Sequence, residues 1–523
     1  MDREPHSPGR SLNTPNKFPA WKGYEKFLFR MAFVFFIFLA IPSEPWYSYV
    51  AAIDWTNLHY RDIYLIARYI PKYVDTDFLP WMKGYQTMAL VFIVSIIIGG
   101  VWSILDRKRK QYTVLYYWLR TLVRYRAAIY MSVWGLIKIF PVQCPFPSEG
   151  ILNTTLGDLP IQKIYWWSVG GIPLYEVFAG LVEFSAGILL FIRRTVPLGA
   201  ALMAGTLGVL TSANIVYGGG VHIESTYFVL VGFFLLLLYA KDVYRLLIMQ
   251  RYTVPVRYYP TFNHRWIRYA LGGVKVLLVT VFVVLMGYLS YLNFRFDPYN
   301  QAITPSPKEL RGLYEVEEFR INNQLLPYDP YDSVRWADVS FEKWTSMTFR
   351  IYQPVLLENT HGIGFGFNSG APMRDIDRNL ESFTGDVRRV FHYYLDTLDK
   401  VLYLEDKSVN VARKNVPITD SIRQHSRLYS SNWIGQKEWG NINDEYTRVD
   451  KRAHFTRRYR GYEKSYPVDS KRNRMMLRYE IVGEKRVRLS GLNETGDSLN
   501  VLLKRVQKNY VFPKAWLVAG SYD

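Results

Sequence analysis

The chain reads as an α-helical membrane bundle of about seven transmembrane helices, followed by an all-β or β-rich barrel or sandwich domain with a helical insertion. Three observations carry this reading. Seven windows of mostly apolar residues, each long enough to span a bilayer, all end before Asn293. Lys and Arg gather in alternate connections between those windows. Beyond residue 295 the hydrophobic period changes from helical to alternating.

The 523 residues suffice for two or more domains, and 41 Tyr, 30 Phe and 15 Trp are an aromatic load suited to membrane interfaces. A mean hydropathy of −0.05 averages an apolar first half with a polar second half. The net charge of +19 is accounted for by the cytoplasmic loops of a membrane protein, so no nucleic-acid partner is inferred from it. Cys144 is the single cysteine, which excludes an intrachain disulfide, CxxC redox chemistry and thiolate metal clusters.

The apolar windows lie near 27–43, 85–105, 113–140, 172–192, 195–217, 225–244 and 269–292. The first is not a cleavable leader, because FLFRMAFVFFIFLA is followed by the bulky IPSEPWYSY. Positive charge falls on the tail of 1–26, on DRKRK at 106–110, on Arg193 and Arg194, and on 241–268, whereas the loop 218–224 has none. The positive-inside rule then makes the N-terminus cytoplasmic and everything beyond about Asn293 external. Within 27–110, which holds the first two spans, DWTNLHYRDIYLIARYIPKYV spaces Trp55, Leu58, Ile63, Ile66, Ala67, Ile70 and Val74 near a helical period. It reads as an amphipathic helix on the outer membrane surface or against the bundle, or as a lid over the loops.

The third span carries the informative charges. From Tyr112 to Phe140 it would be about 43 Å long, more than the roughly 30 Å hydrocarbon core, so Arg120 falls in the cytoplasmic interface. Arg126 lies about 21 Å below the outer end. On the antiparallel fourth span Glu176 lies about 6 Å and Glu183 about 16 Å below the outer edge. Depth therefore predicts that Lys138 meets Glu176 at the rim, and that Glu183 sits with Tyr130 and Arg126. Gly180, Glu183 and Gly187 share a helix face, which points Glu183 into a close helix contact. Lys138 and Glu176 also fit snorkelling to the interface. Glu183 does not, since a mid-membrane carboxylate costs several kcal/mol unless protonated or partnered.

RYRAAIYMSVWGLIKIFPVQCPFPS (124–148), YEVFAGLVEFSAGILLFIRRTVPLGA (175–200) and ANIVYGGGVHIES (213–225) resemble, in order, motifs of the DoxX-like bacterial membrane proteins. The resemblance covers about 111–246 and implies a four-helix unit, with 247–294 forming a cytoplasmic loop and the seventh span. The matching positions are Lys138, Phe140, Pro141, Gln143, Pro145, Gly180, Glu183, Arg194, Thr195, Gly199 and Asn214. It implies the bacterial inner (cytoplasmic) membrane, with the C-terminal domain periplasmic. No cofactor motif is identified, and a quinone is the one cofactor the resemblance brings in, since the family is associated with quinone-coupled sulfur oxidation. The third motif departs from the pattern: YGGGVHIE stands where such proteins often carry an acid and a lysine. His222 near Glu224 reads either as a titrating pair or as a surface-loop histidine.

In 295–523, LRGLYEVEEFRIN (310–322), SMTFRIYQ (346–353), DKVLYLED (399–406), RMMLRYEIV (474–482), KRVRLSGL (485–492) and DSLNVLLKRV (497–506) read as strands. The last three are spaced as antiparallel neighbours, which favours a small barrel or sandwich. GLYEVEEFRINNQLLP with RWADVSFE (335–342) resembles the lipocalin-like tail that follows the membrane unit in some DoxX-like proteins. An insertion is expected over about 354–472, with PMRDIDRNLESFTGDVRRVFHYYLDTL (372–398) helical in part. GIGFGF (362–367) lacks the strand-to-helix context of a nucleotide fingerprint, and His361, His392, His425 and His454 lack metal-ligand spacing.

Two function classes remain. The first is an accessory or scaffold subunit whose partners are the lipid bilayer and other cell-envelope proteins of a secretion, transport or respiratory complex. Its docking surface would be the basic aromatic segment 448–474, with Arg457, Arg458, Tyr459 and Arg460. The second is a quinone-linked membrane oxidoreductase with Arg126, Tyr130, Lys138 and Glu183 around a ligand. A proton-coupled transporter using the same network, with Glu176 and Asn214, is a further alternative. No catalytic residue is assigned.

Overall fold

The computed structural model describes residues 20–522 except 42–52, 54, 56–57, 75–78, 83, 254–257, 261–263, 299, 353–374, 379, 384–387, 408–472 and 513–516. The chain divides into two compact units. The first comprises Met1–Ile53, Arg61–Ile139 and Phe178–Tyr288, and the second comprises Asp54–Tyr60, Phe140–Val177 and Leu289–Asp523.

In chain order the helices are α1 (Gly23–Phe38), α2 (Tyr60–Arg68), α3 (Gln86–Leu105), α4 (Thr113–Ile139), α5 (Glu149–Leu152), α6 (Ile161–Gly170), α7 (Pro173–Phe191), α8 (Val196–Val216) and α9 (His222–Val243). A last helix, α10, runs over Arg265–Phe296 with a π-helical stretch at Thr280–Leu285. Each apolar window of the sequence is thus a helix. Five of them, α3, α7, α8, α9 and α10, are long and apolar enough to cross a membrane. Of the other two, α1 has 16 residues, and α4 carries Arg120, Arg124, Arg126 and Lys138.

The helical unit is apolar on the outside as well as within. Phe92, Ile93, Ile97 and Ile104 of α3 are exposed, as are Leu237 of α9 and Val276 of α10. A helix hydrophobic all round is buried in a large core or in lipid. The polar groups are turned inward: Arg30 of α1 is 3% exposed and donates to Tyr112 Oη and Ser103 Oγ. The amphipathic stretch of the outer loop is α2, whose Tyr64 packs edge-on against Trp134 of α4.

The second unit is an antiparallel β-barrel. Its strands are β1 (Gly312–Ile321), β2 (Gln324–Leu325), β3 (Asp338–Phe341), β4 (Ser346–Arg350), β5 (Arg388–Asp396), β6 (Val401–Asp406), β7 (Arg474–Val482), β8 (Arg486–Leu492) and β9 (Ser498–Val506). Eight of them pair in sequence from β1 through β3 to β9, and β9 closes on β1 with Tyr314 opposite Arg505 and Phe319 opposite Val501. The short β2 extends β1 through Asn322 and Asn323, both at positive φ (49° and 65°), as a two-residue hairpin turn of the primed class requires. An irregularity between Val316 and Glu318 bends β1 where it bridges β3 and β9.

An eight-stranded barrel leaves an interior about wide enough for side chains to fill. Here it is filled by Phe319, Trp336, Phe341, Phe349, Phe391 and Tyr393 with Leu402, Leu477, Leu489 and Val501. A second cluster of Ile151, Trp167, Trp344, Leu380 and Tyr522 joins α5 and α6 to the barrel. The stretch 372–398, expected to be helical in part, has two short 3₁₀ helices among its described residues, at Asp375–Asp377 and Leu380–Phe383, and its later part, Arg388–Asp396, is a central strand. Its residues are buried on both faces, so the period-2 signal that marked the other strands is erased.

Candidate functional site

The charges predicted within the helical unit come together, but in different pairs from those expected. Gly135 of α4 faces Gly180 and Phe184 of α7 so closely that a Cβ there would lie 2.5 Å from Phe184 N. A Cβ on Gly180 would meet Lys138 Cβ at 2.7 Å, and one on Gly187 would meet Ser132 Oγ at 2.4 Å. The helices touch backbone to backbone along this stripe, the small-residue packing of membrane helices. Lys138 is therefore level with Gly180, and Glu183 lies one turn deeper, about 4.5 Å along the axis and within reach of the lysine stem.

Lys138 Nζ forms a buried ion pair with Glu183, not with Glu176. Depth counted from the helix ends erred because it ignored the length of the lysine side chain, which spans the difference. Glu176 accepts instead from the backbone amide of Cys144 at 3.0 Å. It thereby holds the proline-rich connection.

A second buried pair was not anticipated. Arg68, the last residue of α2, donates to Glu224 of α9, through Nε at 3.0 Å and through Nη2. Of the two readings of His222, a titrating pair with Glu224 or a loop histidine, the described contacts bear on Glu224, which is held by Arg68. His222 Nδ1 lies 2.7 Å from Gly219 O in the preceding turn. The signal for Arg68 was present in the sequence as a basic residue on the polar side of an amphipathic helix. Its partner was not, because 156 residues separate the two.

Tyr130 lies between the two pairs. Its ring stacks on Phe228 at 3.8 Å and tilts against Trp134 at 5.9 Å, and it lies within electrostatic range of both Glu224 and Glu183. Trp134 in turn carries Lys138 Nζ 5.8 Å above its ring. Arg126 donates to the carbonyls of Ala40 (3.1 Å) and Tyr69 and lies over the Tyr227 ring at 5.2 Å. It belongs with the Glu224 side of the network, on which it acts electrostatically. Asn214 stands apart. Its Nδ2 donates to Leu210 O at 2.8 Å and its carbonyl accepts from Gly219 N at 2.7 Å, so it shapes the turn after α8. Arg457, Arg458, Tyr459 and Arg460 lie outside the described residues, as do His361, His425, His454 and GIGFGF.

The barrel unit has its own buried carboxylate, which the sequence did not single out. Glu342, at the end of β3, accepts from the amides of Glu149 (2.8 Å) and Gly150 (2.9 Å) of α5. Burial pushes its carboxyl up to about 8, with the nearby Glu381 adding to the shift and the two amides opposing it. Around the same short helix, Arg388 of β5 donates to Thr154 Oγ1 (2.9 Å) and Asn153 O (3.0 Å), and Asn153 donates to Tyr510 Oη at 2.7 Å. Gly150 is required by close approach, since a Cβ there would stand 2.5 Å from Thr348 Oγ1.

No family model, curated protein or solved structure matches the chain. Chemically, the helical network holds two neutral ion pairs locked by aromatic packing. Among the described residues, Glu183 Oε2 and Glu224 Oε2 are buried without a hydrogen-bond partner.

Proposed function

We propose that this chain is an integral inner-membrane accessory or scaffold subunit that presents its β-barrel on the periplasmic side to a larger cell-envelope complex. The observation that carries the reading is the apolar barrel interior: buried side chains from all eight closing strands pack into one core there, which directs the proposal to the outer surface. Five apolar helices, supplemented by α1 and α4, support seven crossings, and the distribution of Lys and Arg supports a cytoplasmic N-terminus. The DoxX-like motifs support a bacterial inner-membrane setting. Closed ion pairs at Lys138–Glu183 and Arg68–Glu224 suit an architectural role, since each cation is already neutralised. Purification in mild detergent from cells expressing the chain at native level tests this. The proposal expects a defined complex held through the barrel domain, and an isolated chain that cross-links to nothing would contradict it.

A second reading, a quinone-linked oxidoreductase, is favoured by one observation, the free oxygens Glu183 Oε2 and Glu224 Oε2. Lipid extraction of the purified protein and a quinone-reduction assay with Glu183→Gln decide it. Bound quinone and a loss of activity in the variant would support it, and no quinone and no activity would exclude it.

A further inference from the structure

A cavity of about 230 Å³ opens in the helical unit among the early turns of α4, the turn before α8 and the end of α9. Its walls hold Arg120, Arg124 and Arg193 together with Tyr117, Tyr239 and Tyr259, and none of its described lining residues is a carboxylate. Arg124 feels the like charge of both Arg120 and Arg193, and among the described residues all three are held by neutral groups. Arg193 donates to Tyr117 Oη at 2.6 Å and lies 3.9 Å over the Tyr259 ring. Arg120 donates to Leu235 O at 3.2 Å and lies 5.4 Å over the Tyr239 ring. Arg124 rests 4.6 Å over the Tyr125 ring and makes no hydrogen bond or ion pair among the described residues. The buried Nε atoms of both Arg120 and Arg124 are without acceptors.

Elsewhere in the same unit the buried Arg68 and Lys138 are each matched to a glutamate. Here the half-buried Arg120 and Arg124 and the exposed Arg193 converge on a space with no counterion among the described residues, and the cost of that arrangement is offset when an anion enters. Arg120 and Arg124 are four residues apart on α4 and so share one face, and the guanidinium fork matches the oxygens of a phosphate. Exposed Trp118 and Leu122 on α4 and exposed Ile192 beside Arg193 give the site an apolar flank. We infer that this cavity is a phosphate-binding site that takes the headgroup of an anionic phospholipid, with Arg120, Arg124 and Arg193 on the phosphate and the apolar flank against the acyl chains. The lipid source rests on the membrane-embedded reading, whereas the phosphate chemistry does not.

The full-length protein, extracted in detergent and delipidated, is titrated separately with phosphatidylglycerol, phosphatidylcholine and inorganic phosphate. Unfolding temperature and native mass spectrometry report binding. Phosphatidylglycerol is expected to stabilise the protein and stay bound, and phosphatidylcholine is not. Arg193→Gln and Arg124→Gln should each weaken phosphatidylglycerol binding about tenfold, the loss of a charge-assisted contact. Lys108→Gln, outside the cavity, should change it less than about twofold. If Arg124→Gln fails to fold, Arg193→Gln on the exposed turn carries the comparison alone. Equal stabilisation by inorganic phosphate with the same arginine dependence would retain the phosphate site and overturn the lipid assignment. Unchanged lipid binding in Arg193→Gln, or equal binding of phosphatidylcholine, overturns the site itself. Recovery of the chain without membranes would overturn the membrane-embedded reading and leave the phosphate arm to judge the cavity.

Discussion

At the scale of single residues the structure is governed by where buried charge finds its partner. Removing one member of the Lys138–Glu183 pair leaves the other buried and unpaired, so Lys138→Met should destabilise the protein by about 3–5 kcal/mol. The double variant Lys138→Met/Glu183→Leu should recover most of that loss, and denaturation of both variants in one detergent checks the difference. The sequence made Glu183 conspicuous, because a carboxylate in an apolar helix announces its own cost. Helical depth chose Arg126 and Tyr130 as its neighbours over Lys138, whereas the pairing turns on side-chain reach. Glu342 was invisible for another reason: a glutamate ending a strand resembles a solvent-facing one until the helix that covers it is in place. With its carboxyl pushed up to about 8, Glu342 carries a folded-state pKa above that of an exposed glutamate. Its contribution to stability is full below about pH 4.3 and is lost as the pH rises through the folded value. The stability of the wild type, followed by Trp fluorescence on unfolding, should fall across pH 5 to about 8.5, and Glu342→Gln should flatten that slope. A slope unchanged in the variant would assign the titration elsewhere.

At the scale of elements, the helices follow from composition and the barrel from alternation, and both were legible where one signal dominated. Every apolar window became a helix, and β1, β4, β6, β7, β8 and β9 fall on segments whose alternation marked them as strands. Of the strands that alternation did not mark, Arg388–Asp396 is instructive because its two faces are covered by different things. The barrel core takes Phe391 and Tyr393, while Arg388 is bound by the α5 segment. A strand buried on both sides has no polar face to alternate with. The contact between α4 and α7 was legible in part as the Gly180–Gly187 spacing, and its consequence is testable. Gly180→Leu would place a side chain where Lys138 and the backbone of Ile139 stand, at 2.7 Å from a Cβ alone. It should separate the helices and lower the unfolding temperature more than Gly205→Leu, since a Cβ on Gly205 meets nothing within 4 Å.

At the scale of the whole molecule, a helical unit with a lipid-compatible exterior is followed by a barrel lined inside by buried apolar side chains. The outer wall of the barrel includes the cross-strand neighbours Met476 and Leu492, both exposed. The membrane arrangement can be mapped by placing single cysteines in a Cys144→Ser background. A cysteine at position 108 should be shielded from an impermeant thiol reagent in intact cells, and one at position 481 should be labelled. The most direct test of the central claim uses photo-cross-linkable residues at positions 476 and 492 in the full chain at native expression, followed by mild solubilisation. The account predicts a discrete cross-linked product and a native assembly well above the 61.3 kDa of the chain, both lost when those positions are made charged. A chain that migrates alone and forms no adduct from either position would contradict it.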